Sequence, residues 1–376
     1  MSENKRIEEI DLIKGIGIIL VVLGHSGSPF THFIYLFHMA IFFIASGFLF
    51  KSSYSDSFNS LKRFTFNKIK HLWVPYVIWG SMFVLLHNFF IRINVYTSNE
   101  DIIKFSNNKY SGITNFYNIF DIIAYIRKTL IFNCQEQLAG AFWFFSALFF
   151  ISVLYSFIDF TIKLFSKKYY MIVQGVISLI FLSIGFMLSL KNVSFNIFAV
   201  VLSSYFLFYS GQVLKNYNKY LIQNKLKGHI VVFIVSFSLL LVLNHYGDIE
   251  LGKNQYINPL FLLASSYSGF LLLYSFSFFI KKVHIIKKLL VILSKNSRII
   301  VVLHFLSMKI VSAIVVQCYR LPVFCIALFP NCYGDRGLWW VLYTIAGVSI
   351  PVVLSVLFKK VIQYYKNCIK QKEKVD

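Results

Sequence analysis

Residues 12–27 read LIKGIGIILVVLGHSG, an apolar run in which Lys14 and His25 are the ionisable side chains. Crossing the hydrocarbon core of a bilayer takes roughly 17–25 helical residues, so this run has close to the required length. A second apolar run follows at 33–49. The start of the chain therefore predicts two consecutive membrane-spanning segments.

Eight further runs of similar character continue this pattern along the chain. Transmembrane strands would be short and would alternate in hydropathy, whereas these runs are long and uniformly apolar, which favours helices. We therefore expect an all-α polytopic membrane protein with about ten transmembrane helices. The predicted spans are 12–27, 33–49, 72–91, 141–158, 171–189, 196–214, 229–246, 259–280, 296–316 and 337–358.

The composition of the 376-residue chain agrees with a membrane protein. Hydrophobic residues make up 57% of it and charged residues 14%, where about 25% charged residues is usual for soluble proteins. The surplus is bulky, with 42 Phe. These figures exclude soluble, disordered, coiled-coil and disulfide-scaffold classes. We expect one membrane-embedded domain over residues 1–376.

The net charge of +22 reflects the distribution of Lys and Arg between the two sides of the membrane. With the N-terminus in the cytoplasm, the cytoplasmic segments carry 27 of the 37 Lys and Arg residues and the outer segments carry 9. This excess follows the positive-inside rule, so both termini are expected in the cytoplasm, with residues 359–376 forming a basic tail. The bilayer thus accounts for the charge without a nucleic-acid partner.

Two outer segments carry further predictions. The sequence IFDIIAYIRKTLIF (119–132) has apolar residues at helical spacing, which predicts a helix lying on the membrane surface. The segment 317–336 contains Cys318, Cys325 and Cys332. Two of these could form a disulfide on an oxidising side of the membrane, with the pairing left open. No His accompanies them there, so no metal site is expected.

Ionisable side chains inside spans are costly and therefore point to function. Lys14 and His25 lie eleven residues apart, which is about 20° from a whole number of helical turns and about 16 Å along the axis. They share one face, with a cation at the cytoplasmic end and an imidazole near the outer end. A coenzyme A thioester, with phosphates at one end of a long arm, would fit this face. In the alternative interpretation, Lys14 is a snorkelling anchor at the inner interface and His25 is an interfacial histidine at the outer end of the helix, without a shared ligand.

Several motifs then occur in a characteristic order. RIEEIDLIKGIGIILVVLGH (6–25) is followed by FHMAIFFIASGF (37–48), LWVPYVIW (72–79), FWFFSALF (142–149) and LSKNSRIIVVLH (293–304). Together they resemble the acyltransferase 3 family of integral membrane O-acyltransferases. The positions that match its first two motifs are Arg6, Asp11, Lys14, His25, Phe42, Phe43, Ser46 and Gly47. The family's paired Arg-x-x-Arg before the third span is replaced here by Lys68, Lys70 and His71.

The resemblance implies transfer of an acyl group, usually acetyl, from cytoplasmic acyl-CoA to a hydroxyl of an extracytoplasmic glycan. The acceptor would be a surface polysaccharide or a lipid-linked saccharide, and the location the bacterial cytoplasmic (inner) membrane. Acyl transfer to an alcohol needs a base, and a His near neutral pKa suits this role, so His25 is the expected catalytic residue. Ser46 is the candidate nucleophile of a less favoured acyl-enzyme route.

Basic residues at the cytoplasmic side are the candidate ligands of the coenzyme A phosphates. They are Lys14, Arg6, Lys62, Arg63, Lys68 and Lys70. Asp11, His304 and Lys309 are expected to support the site.

Two other functional classes share this composition. A polysaccharide polymerase or flippase would be expected to have a large outer loop with catalytic Arg residues, and segment 92–140 holds only Arg92 and Arg127. A proton-coupled solute transporter usually needs carboxylates within its spans, and none is predicted deep in any span.

Overall fold

The computed structural model describes residues 8–106, 112–191, 197–221 and 226–372. Arg6 lies outside these residues. Thirteen α-helices form the described part of the fold. They are α1 (Glu8–Gly24), α2 (Thr31–Tyr35), α3 (Ala40–Leu49), α4 (Phe58–Lys68), α5 (Val74–Arg92), α6 (Ile119–Leu130), α7 (Trp143–Phe165), α8 (Tyr170–Leu190), α9 (Ile197–Leu221), α10 (Leu226–Tyr246), α11 (Pro259–Ile280), α12 (His284–Cys318) and α13 (Trp339–Lys372).

The expected all-α polytopic membrane fold is confirmed. Nine helical segments of the described chain are long and apolar enough to cross a bilayer. Helix α1, the predicted first span, has 17 residues and is not among these nine. The bridges Thr97–Ile113 and Glu250–Gln255 are isolated pairs, and the described residues contain no β-sheet.

The second predicted span, 33–49, is divided in the structure. Helix α2 ends at Tyr35 and α3 begins at Ala40, so the chain is irregular where His38 lies. The His38 Nδ1 donates to the Ile34 carbonyl oxygen at 3.0 Å. The same carbonyl also accepts from the His38 backbone N–H at 3.0 Å, so the side-chain bond fixes the imidazole ring, which lines a cavity described below.

The ninth and tenth predicted spans are parts of longer helices. Helix α12 begins at His284, well before the predicted start at 296, and α13 continues from the predicted span into the basic tail. Lys281 Nζ lies 3.1 Å from Glu9 Oε1, Lys287 pairs with Glu8, and Lys359 Nζ lies 3.3 Å from Asn296 Oδ1. The start of α1, the start of α12 and the end of α13 therefore lie on one side of the bundle.

Glycines allow the closest helix contacts. An added Cβ at Gly47 of α3 would overlap the Phe208 carbonyl of α9, and one at Gly211 of α9 would overlap the Ile44 carbonyl of α3. Small residues commonly permit this backbone approach within membranes. The Gly47 of the recognised motif thus has a packing role beside the candidate site.

Asp159 lies one residue beyond the predicted span 141–158, near the end of α7 where Lys163 also contacts the exposed Asp56. Helix α7 continues to Phe165, and Asp159 is fully buried within it. Its carboxylate pairs with Lys163 at 2.9 Å and accepts from Ser55. A buried charge requires such a partner.

The outer segment between α5 and α7 is anchored by a buried ion pair. His87 Nδ1 lies 3.0 Å from Glu136 Oε2, and both side chains are almost inaccessible. His87 Nε2 lies 3.1 Å from the Asn115 carbonyl oxygen, which only accepts. The Thr114 hydroxyl also lies 3.2 Å from Nε2, so both ring nitrogens have polar partners. The Tyr117 ring stacks on His87 with centroids 3.5 Å apart.

The expected helix within 119–132 is α6. Asn118 and Asp121 form a capping box at its start, and the Trp73 Nε1 donates to the Leu130 carbonyl at 3.0 Å. The amphipathic segment is therefore tied to the bundle at both ends.

The described cysteines form no disulfide. Cys134, Cys318, Cys325 and Cys332 are free thiols. Burial raises the pKa of the Cys325 thiol to about 11 and that of the Cys332 thiol to about 12. Cys318, by contrast, is exposed at the end of α12.

Candidate functional site

Two cavities line up along the same four helices. The first, which we call the inner pocket, has a volume of about 630 Å³ and is lined in part by α1, α3, α7 and α12. The second, the outer cavity, measures about 70 Å³ and is lined by other residues of these four helices. From the inner pocket to the outer cavity the residue numbers rise on α1 and α12 and fall on α3 and α7, as expected for antiparallel spans. The pairs, inner residue first, are Lys14 and Val21 on α1, Ser46 and Phe42 on α3, Leu148 and Phe144 on α7, and Arg298 and Val301 on α12.

The inner pocket is strongly cationic. Four of its lining residues are basic: Lys14, Arg63, Lys68 and Arg298. None of the described residues that line it is acidic. Tyr54, Asn67 and His71 add polar groups. An arrangement of this kind suits an anionic ligand with several phosphates.

Local helix distortion shapes one wall of the inner pocket. A π-helical turn, Ile69–Trp73, separates α4 from α5, and such turns are frequent at functional sites. Pro75 has no backbone N–H, so the α-helical partner of the His71 carbonyl is missing. The Arg298 Nη1 donates to that carbonyl at 3.2 Å. This bond fixes α12 against the turn and places the guanidinium at the pocket.

The outer cavity contains His25 in a polar and aromatic setting. His25, His38, Tyr35, Trp143 and Glu250 line it together with apolar residues. His25 follows the last residue of α1, and Glu250 belongs to the loop between α10 and α11. The loop therefore borders the cavity at the end where α1 finishes.

The position of His25 is fixed by its backbone. The Asn331 Nδ2 donates to the His25 carbonyl oxygen at 2.9 Å. Gly27 adopts φ +83°, and an added Cβ there would overlap Gly334, so the turn after His25 fits closely beneath the loop 331–334. The Tyr35 hydroxyl lies 3.4 Å from His25 Nδ1.

His304 lies directly behind His25. The two rings stack with centroids 5.5 Å apart. His304 Nδ1 donates to the carbonyl oxygens of Ile300 and Val301 at 3.0 and 2.9 Å, which leaves Nε2 as the acceptor nitrogen. Among the described residues that buried Nε2 has no hydrogen-bond partner. His304 thus supports the His25 ring without lining the outer cavity.

An aromatic pair separates the two cavities. Phe42 and Phe144 line the outer cavity, and their rings are in T-shaped contact with centroids 5.5 Å apart. Ser46 and Leu148, one helical turn further along α3 and α7, already line the inner pocket. One turn is about 5.4 Å, so the two cavities are close neighbours along the bundle.

The remaining predicted residues lie in different places. Lys62 and Lys70 are exposed and do not line the inner pocket. Asp11 accepts from Ser294 Oγ at 3.2 Å. Lys309 is buried, and its Nζ donates to three successive carbonyls of the loop after α12, those of Ile326, Ala327 and Leu328, at 3.1, 3.1 and 2.6 Å. This loop holds Lys309 away from both cavities.

Some lining residues were not selected from the sequence. Tyr35, Trp143 and Glu250 reach the outer cavity from three separate segments. Trp143 belongs to the motif FWFFSALF, which was a usable signal, whereas Glu250 lies in a loop with no motif. Among the described residues no cluster of His, Cys, Asp and Glu is suited to hold a metal ion.

Comparison with known proteins agrees with this geometry. The acyltransferase 3 family, described as an acyltransferase domain, matches residues 7–359. Neither a curated protein nor a solved structure matches the chain. The family match includes every helix that lines the two cavities and favours acyl transfer over glycan polymerisation or solute transport. The chain therefore belongs to the acyltransferase 3 family and is a multi-pass membrane acyltransferase.

Proposed function

We propose that the protein transfers an acetyl group from cytoplasmic acetyl-CoA to a hydroxyl of an extracytoplasmic glycan, within a bacterial cytoplasmic membrane. One observation carries this proposal. A cationic pocket and a histidine-containing cavity lie one behind the other along α1, α3, α7 and α12. A donor with phosphates at one end and a thioester at the end of a long arm would extend from the first into the second.

The inner pocket is the proposed donor site. Lys14, Arg63, Lys68 and Arg298 supply basic groups from three parts of the chain. Charge-assisted hydrogen bonds to phosphate are among the stronger polar interactions in proteins. The pantetheine arm would then pass between Phe42 and Phe144, and the aromatic contact would open to admit it.

His25 is the proposed general base. It takes the proton of the acceptor hydroxyl as the oxygen attacks the thioester carbonyl; the C–O bond forms, the C–S bond breaks, and the proton passes to the departing coenzyme A sulfur. For Nε2 to act as the base, Nδ1 must keep its proton, and its N–H then donates a hydrogen bond to the Tyr35 hydroxyl. The Nδ1–Oη distance of 3.4 Å leaves this a loose contact before substrates bind.

The separation of Ser46 from His25 favours direct transfer over an acyl-serine intermediate. Ser46 lines the inner pocket and His25 lines the outer cavity. A nucleophilic serine needs a base within hydrogen-bonding reach. The aromatic pair between the cavities supports a single step at His25.

The outer cavity also supports a small acyl group and a sugar acceptor. Its volume of about 70 Å³ suits a short acyl chain better than a long one. The faces of Tyr35 and Trp143 offer surfaces on which the C–H faces of a sugar ring stack, and Glu250 offers a hydrogen-bond acceptor. A lipid-linked saccharide or a surface polysaccharide would present its hydroxyl from this side.

The test uses membranes that contain the wild type, His25→Ala, Ser46→Ala or His245→Ala, incubated with radiolabelled acetyl-CoA and glycan acceptors. His245 is an exposed histidine of α10 and serves as the matched control. We expect His25→Ala to lose ester formation by at least about 100-fold, the usual contribution of a general base, while His245→Ala and Ser46→Ala retain it.

Each contrary result contradicts a different part of the proposal. Equal ester formation by His25→Ala and the wild type would remove His25 from the chemistry. Loss of activity in Ser46→Ala, with an unchanged folded fraction, would favour the acyl-serine route. Label entering no glycan with the wild type would reject the acceptor class.

A further inference from the structure

A third cavity lies beside the inner pocket, between α5, α12 and α13. We call it the lateral crevice, and it has a volume of about 220 Å³. Its polar lining is provided by Lys295, Asn296 and Arg298 of α12 and by Ser355 and Lys359 of α13. None of the described residues that line it is acidic. Three positive charges thus meet in one small cavity without a carboxylate among them.

The polar end of the lateral crevice is organised by Asn296. This side chain is buried, and its Nδ2 donates to the Ile292 carbonyl at 2.9 Å. Its Oδ1 accepts from Ser355 Oγ at 3.0 Å and from Lys359 Nζ at 3.3 Å. Asn296 therefore holds the Lys359 ammonium at the crevice, where two of its three N–H groups remain for another partner.

The opposite wall of the lateral crevice is apolar. Pro75 and Trp79 of α5 and Ile299 and Val302 of α12 line it. A ligand that fits both walls carries an anionic group at one end and hydrocarbon at the other. A free phosphate would leave the apolar wall without a partner.

The surroundings of the lateral crevice point to the bilayer as the source of this ligand. Ile78 on α5, Ile292 on α12 and Leu354 on α13 are exposed apolar side chains on the helices that form it. It lies on the side of the bundle where α12 begins and α13 ends, which the Lys and Arg distribution assigns to the cytoplasm. Basic pockets between transmembrane helices on that side bind anionic lipid headgroups.

We propose that the lateral crevice binds the phosphate headgroup of an anionic phospholipid of the inner leaflet. Lys295, Arg298 and Lys359 contact the phosphate, and the lipid's acyl chain lies along Trp79 and Val302. Arg298 also lines the inner pocket, so the lipid lies next to the donor site. The proposal requires no acyl transfer and is independent of the proposed function.

The experiment measures lipid binding to delipidated protein in detergent. Phosphatidylglycerol or phosphatidylcholine is titrated in, and bound lipid is counted by native mass spectrometry. The test variant is Lys295→Gln/Lys359→Gln. The control, Lys288→Gln/Lys360→Gln, removes the same charge from exposed positions of the same two helices outside the crevice. Arg298 is left unchanged because it belongs to both cavities.

We expect the wild type and the control variant to bind phosphatidylglycerol alike, and the test variant to bind it roughly tenfold more weakly. Phosphatidylcholine should bind weakly to all three. A thermal unfolding midpoint shared by the two variants shows that folding does not explain the difference.

Three outcomes would overturn the proposal. The first is equal phosphatidylglycerol affinity of the test and control variants. The second is equal binding of phosphatidylcholine and phosphatidylglycerol by the wild type. The third is displacement of phosphatidylglycerol by inorganic phosphate or by acetyl-CoA, which would assign these cations to a soluble phosphate ligand.

Discussion

Lys14 differs from the other cations of the inner pocket because it is carried by α1, the helix that ends beside His25. Arg63 and Lys68 belong to α4, and Arg298 belongs to α12. A charge on α1 has a fixed distance to the candidate base, about 16 Å along the helix axis. It therefore sets how far a phosphate bound there can be from the reacting carbonyl.

The first prediction compares Lys14→Ala with Lys62→Ala. Lys14 lines the inner pocket, whereas Lys62 is exposed outside it. Loss of one charge-assisted hydrogen bond to a phosphate costs about 1.5–3 kcal/mol, so Lys14→Ala should raise the KM for acetyl-CoA about tenfold or more. Lys62→Ala should leave it near the wild-type value. Initial rates over a range of acetyl-CoA concentrations measure both.

An equal KM in these two variants would make Lys14 a membrane anchor only. A lower kcat with unchanged KM would place its contribution in the chemical step instead.

At the same scale, the sequence located some of the site residues and missed others for clear physical reasons. The shared face of Lys14 and His25 follows from helix periodicity alone, and both side chains line the aligned cavities. Lys62 and Lys70 were selected because they lie in the same basic segment as Arg63 and Lys68. Lys62, Arg63 and Lys68 lie on α4, so which of them lines the pocket depends on how that helix packs, whereas Lys70 lies in the π-helical turn.

Among the elements, the outer segment between α5 and α7 shows how a long connection is fixed to the bundle. It has a buried attachment at His87 and Glu136 and exposed contacts, among them the local ion pair of Lys104 with Asp101 at 2.7 Å. Exposed pairs contribute little to stability, and breaking a buried pair costs much more. The two pairs therefore give a direct comparison within one segment.

The second prediction is that His87→Ala lowers stability by about 3–5 kcal/mol, because it leaves the Glu136 carboxylate buried without its partner. Lys104→Ala should cost at most about 1 kcal/mol. The double variant His87→Leu/Glu136→Leu removes both charges and should regain more than half of the loss. Thermal unfolding in detergent, combined with limited proteolysis of segment 92–140, measures these differences.

A His87→Ala variant as stable as Lys104→Ala would show that the pair does not anchor the segment. A double variant less stable than the single variants at His87 or Glu136 would contradict the expected recovery. The interaction between the two side chains would then provide the stability, and an unpaired buried charge would not explain the loss in the single variants.

The helices were predicted well where apolar length decides their position and less well where polar residues extend them. The long apolar runs gave the spans of α8, α10 and α11 closely. Asp159 lies one residue beyond the predicted span 141–158, and Lys163 pairs with it within α7. The break between α2 and α3 could not be predicted, because residues 33–49 form one uninterrupted apolar run.

Over the whole molecule, the two sides of the bundle differ in chemistry. The side where α1 and α12 begin carries the inner pocket and the lateral crevice, both cationic. The opposite side carries the outer cavity and the loop after α12, in which Cys325 and Cys332 are buried. The predicted orientation places the first side in the cytoplasm, and accessible cysteines provide a way to test it.

The third prediction concerns labelling of native protein in right-side-out vesicles with a membrane-impermeant maleimide at pH 7.5. Cys318, exposed at the outer end of α12, should be labelled first. Burial shields Cys325 and Cys332 and raises the pKa of their thiols to about 11 and about 12, so little reactive thiolate exists at this pH. Their labelling should increase as the pH rises toward these values, and in denaturant all the cysteines should react.

Cys368 lies in the basic tail, which the charge distribution places in the cytoplasm, so it should remain unlabelled until the vesicles are opened. Mass spectrometry of the labelled peptides distinguishes the sites. Labelling of Cys368 before Cys318 in sealed vesicles would reverse the orientation, and the cationic pocket would then face away from cytoplasmic coenzyme A. The side on which each thiol reacts therefore tests whether the donor pocket is located where its proposed substrate is found.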